Sequence, residues 1–357
     1  MVNAISVDLE DWYHICDFNN SVIQEDWKKY SIRLENNVSK ILNLFEHYNI
    51  HATFFTVGMI AENMPALIKK ISDSGHELAT HGFSHQRIFD MTPEEFERDL
   101  LYSKSAIEKA SGKKVLGYRA PEWSLKKTNI WALDILKKNG FSYDASAVPL
   151  SHLGGRYFKH YPYEIMTKYG NILEFPLSSI LCLWERIPFS GGLPMRITPY
   201  FYILDCARMN NRLGYPVIFY LHPWEFDAEQ VKVDVPLNRR FMHYYNIEST
   251  AKKIELLLGR MEFSTVEDVL GLKKNSHFKN KTPCKYRTYY DSSYFLSALK
   301  SLFIIAGLFA IIFTAGLLMK TYSFLLIAIM LTIFYWPWGL LLNKVNTLLN
   351  LIKNKDA

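Results

Sequence analysis

Five strand-like runs in the first 222 residues each end directly before an ionisable residue, and helix-length segments lie between most of them. Ile5–Val7 leads to Asp8, Glu77–Thr80 to His81, Val115–Tyr118 to Arg119, Phe141–Tyr143 to Asp144, and Val217–Leu221 to His222. Strand and helix alternating at this spacing restrict the chain to parallel βαβ units, hence a barrel-like α/β fold. In such folds the chemistry sits at the C-terminal ends of the strands. The five residues are therefore the first candidates for a site.

The segments between them support this pattern. Asn37–Tyr48 is an amphipathic helix with Val38, Ile41, Leu42 and Phe45 on one face. Ala52–Val57 and Ile172–Phe175 read as further strands. Pro65–Ser74 is a helix stopped by Gly75, and Asn129–Asn139 one closed by Gly140. Thr92-Pro93-Glu94-Glu95 is a helix start with Thr92 as N-cap and Glu95 in the capping-box position; that helix runs to Ala110 before Gly112. Residues 1–272 form one α/β unit.

The composition, 49 % hydrophobic and 15 % aromatic, suits a large core. A net charge of +6 is too mild to argue for nucleic acid. Cys16, Cys182, Cys206 and Cys284 form no CxxC, so neither a disulfide framework nor a thiolate zinc site is expected. The N-terminus lacks a basic region and a long apolar stretch, and a cleaved signal peptide is not expected.

Beyond residue 272 the composition changes. Residues 273–298 form a basic, polar linker. Ser301–Met319 and Tyr322–Leu342 carry no charge and are separated by Lys320-Thr321. Each is long enough to cross a bilayer core of about 30 Å. A transmembrane helical hairpin is expected over 299–343, with a tail at 344–357. Lysines and arginines crowd the flanks and only Lys320 lies at the tip, so both ends and the catalytic domain are expected on the cytoplasmic face of the inner membrane.

The chemistry centres on His81 and His85. Two histidines four apart share one face of a helical turn and can reach one ion. With one carboxylate and open positions they form the ligand set of a catalytic metal. The first strand supplies Asp8, Glu10 and Asp11. Asp8 and Glu10 project to the same side of an extended strand, and Asp11 joins them only if the chain bends. Asp8 is the expected general base; the carboxylate ligand is Glu10 or Asp11, and spacing does not choose between them. Arg119 is a clamp for the base. His222 can protonate a leaving amine, with Asp144 either orienting it or acting as a plain turn residue. Trp123, Trp184 and Trp224 suit stacking on sugar rings or core packing equally. His14, His47, His51 and His76 read as structural or exposed.

These elements in this order resemble the polysaccharide deacetylase family, the NodB-homology domain of carbohydrate esterase family 4. The resemblance covers about residues 1–270 and rests on Val7-Asp8-Leu9-Glu10-Asp11, His81 to His85, Arg119-Ala120-Pro121-Glu122-Trp123 and Leu221-His222-Pro223. It implies a distorted (β/α)7-type barrel, a divalent metal (usually Zn²⁺) and hydrolysis of an N-acetyl group on an amino sugar. It also implies Asp8 as base, His81 and His85 as ligands and His222 as acid. The chain departs from the family's adjacent aspartates, and its Arg-x-Pro and final His motifs resemble a branch associated with exopolysaccharide loci. The expected protein is a membrane-anchored N-deacylase of an amino sugar in a polysaccharide or lipid-linked glycan. The rivals are a non-catalytic scaffold for glycan synthesis and an amidase on a non-sugar amide.

Overall fold

The computed structural model describes residues 1–14, 31–150, 157–182, 185–232 and 235–272. The described residues of 1–179 and 188–272 belong to one compact unit. The expected linker, hairpin and tail, as well as Trp184, Cys16 and Cys284, lie outside the described residues. Among the described residues no helix is long and apolar enough to cross a membrane.

Strand β1 (Val2–Leu9) is buried along all but its first residue, as a parallel strand covered on both faces must be. It pairs in parallel with β2 (Thr53–Thr56) on one side. On that same side, at its start, it pairs with β11 (Glu262–Ser264), and on the other side with β10 (Ile218–Leu221). From β2 the sheet continues in parallel through β3 (Glu77–Thr80), β4 (Gly117–Tyr118), β5 (Tyr143–Asp144) and β7 (Gly170–Glu174). β6 (Tyr163–Thr167) closes this side as an antiparallel edge on β7. The path β10-β1-β2-β3-β4-β5-β7 gives seven parallel strands. Among the described residues no ladder joins β7 back to β10; there the Ile218 amide donates to Ser178 Oγ at 2.8 Å. β8 (Ser179–Cys182) and β9 (Glu185–Pro188) form a separate two-stranded ribbon.

Helices cross between the strands: α1 (Ser31–His47), α2 (Gly58–Asn63), α3 (Pro65–Asp73), α4 (Pro93–Ser111) and α5 (Trp131–Lys138). α6 (Gly192–Ile197), α7 (Tyr200–Arg212), α8 (Leu237–Tyr244), α9 (Ser249–Leu258) and α10 (Val266–Val269) follow. α4 starts at the predicted capping box. Thr92 Oγ1 accepts from the Glu95 amide, Glu95 accepts from the Thr92 amide, and Gly112 ends the helix at φ 72°. Inside the barrel Ala4, Phe55, Ala79, Tyr143, Phe175 and Ile218 pack together. Small residues on β1 and β3 leave room for the large ones on their neighbours. Gly117 has the same origin, because a Cβ there would lie 2.0 Å from the Tyr143 ring.

The strands thus turn their C-terminal ends, and the residues that follow, towards one rim.

Candidate metal-binding active site

β1 delivers Asp8 to this rim and then breaks. The Glu10 amide donates to the Asp8 carbonyl at 2.9 Å, and the chain turns into a short 3-10 turn at Trp12–His14. This bend separates the two carboxylates that spacing left undecided. Glu10 points to the histidines. Asp11 instead caps the turn: its Oδ1 accepts from the Trp12 amide at 2.8 Å, and its own amide donates to His14 Nδ1 at 2.9 Å. Burial, then Asp227 and Glu10, push the Asp11 carboxyl up to about 7. Among the described residues the group that could hold a metal is Glu10, His81 and His85, and Asp11 falls outside it.

The His pair is held differently from the helical turn its spacing suggests. After β3 the chain forms a loop, with Gly82 at φ +74° and His85 at φ 57°. Few non-glycine residues adopt this left-handed conformation. Asp99 on α4 holds the loop: its carboxylate accepts from the amides of Phe83 (2.7 Å) and Ser84 (3.1 Å) and from the Ser84 hydroxyl. A Cβ on Gly82 would lie 3.0 Å from Asp99 Oδ2, so the position is closed by both φ and space. The result brings the two imidazoles to 5.0 Å between ring centres.

His81 Nδ1 bonds to the Arg119 carbonyl at 2.8 Å, which turns Nε2 towards Glu10. His81 Nε2 lies 3.8 Å from Glu10 Oε2, and His85 Nε2 contacts the same oxygen. The three ligand atoms fall within 4.8 Å of one another and all three residues are buried. Burial alone would raise the Glu10 carboxyl, but His85, His222 and His81 hold it well below the carboxylate range. Burial lowers His81 to about 4 against the pull of Asp8, so it stays neutral near pH 7. Two imidazoles and a carboxylate converging on one point fit a divalent ion, and three protein ligands leave positions open.

Asp8 stands beside this cluster. Arg119 Nη1 donates to Asp8 Oδ1 and to Ser6 Oγ at 2.9 Å, and its Nε donates to the Ala145 carbonyl at 3.2 Å. The guanidinium is fully buried over the Phe55 ring, 4.0 Å from its centre, so it has little freedom to swing away. The next residues are strained: Glu122 and Trp123 lie at φ 50° and 55°, and Arg87 Nε donates to Glu122 at 2.6 Å. This places half-buried Trp123 against Tyr220, with ring centres 5.1 Å apart.

His222 follows β10 and completes the set, with Nε2 3.9 Å from Asp8 Oδ2 and 3.7 Å from Glu10 Oε1. Its side chain is 13 % accessible, against 3 % for Asp8, so it forms the open side of the group. Its Nδ1 lies 3.1 Å from Glu225 Oε2, and its amide donates to the same oxygen. The orienting carboxylate is thus Glu225 and not Asp144. Asp144 accepts from Ser146 Oγ and shares a buried pair with Glu174, where burial raises both carboxyls. Burial alone would lower His222, but the hydrogen bond and charge of Glu225, then Glu10 and Asp8, carry it above its ordinary value. His222, first among the causes that oppose burial, holds Glu225 low, so Glu225 is ionised and Nδ1 carries the proton. Trp224 is 5 % exposed and lies sandwiched between His222 and His243, with ring centres at 4.8 and 4.3 Å. It packs behind the site and offers no open face for a sugar.

Asp8, Glu10, His81, His85, Arg119 and His222 therefore meet at one rim, while Asp11 and Asp144 serve turns and pairs outside it. Spacing alone missed Asp99 and Glu225. A signal for Glu225 was available: it lies three residues after His222, within one tight turn.

Residues 26–143 match the polysaccharide deacetylase family, and residues 145–271 match a domain of unknown function, DUF3473. The peptidoglycan deacetylase of Helicobacter pylori is 38 % identical over 110 residues, 30 % of this chain and 36 % of that protein. The peptidoglycan-N-acetylmuramic acid deacetylase PdaA of Bacillus subtilis is 25 % identical over 142 residues, 34 % of this chain and 53 % of that protein. The chain spans about a third to a half of the length of these relatives. Among solved structures, one from Mycobacterium smegmatis assigned to the polysaccharide deacetylases superposes with a TM-score of 0.51 at 17 % identity, covering 80 % of this chain and 96 % of that one. PuuE allantoinase gives 0.50 at 16 % identity, covering 73 % and 85 %. These two likenesses concern the fold.

Proposed function

We propose, from the match of residues 26–143 to the polysaccharide deacetylase family, that the chain hydrolyses the N-acyl amide, acetyl or formyl, of an amino sugar in a polysaccharide or lipid-linked glycan. The observation that carries this reading is the convergence of Glu10, His81 and His85 beside an arginine-held Asp8 and an exposed-side His222. Relatives named as peptidoglycan and chitooligosaccharide deacetylases support the substrate class.

A divalent metal, Zn²⁺ in this reading, held by Glu10, His81 and His85 supplies a Lewis acid for the amide carbonyl and an acidified water. The chain's own residues do the rest. Asp8 takes the water proton as general base, and Arg119 fixes its carboxylate. His222, protonated through its pairing with Glu225, gives a proton to the departing amine from the open side. Arg119 and Phe55 close the inner wall and keep solvent from the base.

The two uncharged runs, Ser301–Met319 and Tyr322–Leu342, with basic flanks, support an anchor in the inner membrane with the catalytic domain on the cytoplasmic face. An anchored domain meets lipid-linked sugars at raised effective concentration. The test is release of acetate and formate from N-acylated chitooligosaccharides, peptidoglycan fragments and lipid-linked amino sugars, paired with metal analysis of the purified chain. Metal-free protein that keeps full activity in chelator would overturn the mechanism. Equal turnover of soluble and lipid-linked sugars by the full chain would remove the lipid-linked substrate.

A further inference from the structure

We propose that Arg196 is a positioning residue for the proton donor, tying the orientation of His222, through Glu225, to the C-terminal end of α8. The inference rests on the reading of His222 as the acid of an amide hydrolase. Arg196 lies on α6 and is 2 % exposed. Its Nη1 donates to the carbonyls of His243 (2.5 Å) and Tyr245 (3.1 Å), and its Nη2 to that of Met242 (2.7 Å). These are carbonyls that the end of a helix leaves without partners. The remaining nitrogen, Nε, faces Glu225 Oε1 at 3.4 Å. The other oxygen of Glu225 takes the His222 amide and ring, each at 3.1 Å.

A guanidinium is planar, so three carbonyls that fix its Nη atoms also fix the direction of Nε. Lys253 secures the backbone beneath, donating to the carbonyls of Met195, Arg196 and Thr198 at 2.8–2.9 Å. The same helix end reaches the acid by a second route, because His243 of α8 stacks on Trp224 and Trp224 on His222. One route sets Nδ1 and the other sets the ring plane. Together they aim Nε2 at the space beside Asp8 and Glu10.

The consequence is chemical selectivity. An amine cannot leave without a proton, whereas a nitrophenolate can. A misaimed His222 therefore harms amide cleavage more than cleavage of an activated ester. We would compare the full chain and its variants on chitotetraose and on 4-nitrophenyl acetate. Arg196→Lys and Arg196→Ala are expected to lower kcat on chitotetraose by about 100-fold, with KM within about twofold and ester turnover reduced less than about fivefold. Lysine is not expected to rescue, because it lacks the fork. Glu225→Gln breaks the same line while preserving volume, and the same selectivity is expected if Arg196→Ala does not fold. Equal losses on both substrates, or unaltered amide turnover, would overturn the proposal.

A readout independent of activity separates this idea from the deacetylase reading. In the full chain labelled with ¹⁵N-histidine, the His222 Nδ1 proton is expected to exchange about tenfold faster in Arg196→Lys than in the wild type. Unchanged exchange overturns the positioning role. A wild type inactive on chitotetraose but showing this change faults only the choice of substrate.

Discussion

A glutamate reaches about 1.5 Å further than an aspartate, and at position 10 that reach brings a carboxylate to both histidines just beyond the end of β1. Glu10→Asp should therefore withdraw the ligand oxygen and weaken metal binding about 10- to 100-fold, measured by competition with a metal-sensitive dye. Asp11→Asn should leave metal stoichiometry intact, because Asp11 caps a turn. Asp8→Asn should keep its metal but lower kcat by about 1,000-fold, read as acetate release; metal loss in that variant would mean that Asp8 is a ligand. Alternation along a strand brought Asp8 and Glu10 to one side without the structure, but the ranking of Glu10 over Asp11 needed the bend after Leu9. That bend is set by a backbone hydrogen bond from the Glu10 amide to Asp8, which leaves no mark in side-chain pattern.

At the scale of elements, the loop after β3 depends on a carboxylate from α4. Asp99→Ala would remove the acceptor of two amides and a hydroxyl. The loop should then open, with metal affinity reduced about tenfold and fold stability by about 1–3 kcal/mol. Calorimetric titration with metal and a thermal melt would read the two effects. β3 itself starts on Glu77, buried where Thr53, Tyr143 and the Glu267 amide bond to it. Burial first, then Glu267, push its carboxyl up to about 7 from 4.5. The neutral form is favoured in the fold, so its contribution is undiminished below pH 4.5, declines as pH rises towards 7 and stays lost above. Glu77→Gln should therefore gain on the wild type by about 1–3 kcal/mol between pH 5 and 8, measured by denaturant unfolding at both values; a constant difference would contradict this. The capping box of α4 and the strands before Asp8, His81, Arg119 and His222 were legible because local pattern decides them. The geometry of the His loop was not, because a left-handed His85 and a contact from Asp99 depend on tertiary placement. Spacing also missed α6, α7, α8 and α9, of which α6 and α8 are short enough to carry little periodicity.

At the scale of the molecule, the site draws on three stretches of chain. The first strand supplies Asp8 and Glu10; the stretch matching the deacetylase family supplies His81, His85 and Arg119; the stretch matching DUF3473 supplies His222, Glu225 and Arg196. The proposed proton donor and its supports all come from the stretch matching DUF3473. The anchoring expectation also belongs to this scale. Removing residues 292–357 should move the protein from the membrane fraction to the supernatant and lower turnover of lipid-linked sugar far more than of chitotetraose, assayed side by side. Equal partition of both forms would remove the anchor.

The pairing of β1 with its neighbours also sets a timetable. β1 leaves the ribosome well before two of its partners, Ile218–Leu221 and Glu262–Ser264, which follow more than 200 residues later. Closing such a long loop is slow, and the strand that bears Asp8 has only β2 to pair with until then. Glu10, His81 and His85 emerge within the first 85 residues, but His222 can join them and Asp8 only near the end of synthesis of this unit. The uncharged runs proposed as an anchor follow within about 40 residues, so completion of the site and emergence of that proposed anchor fall in one short interval.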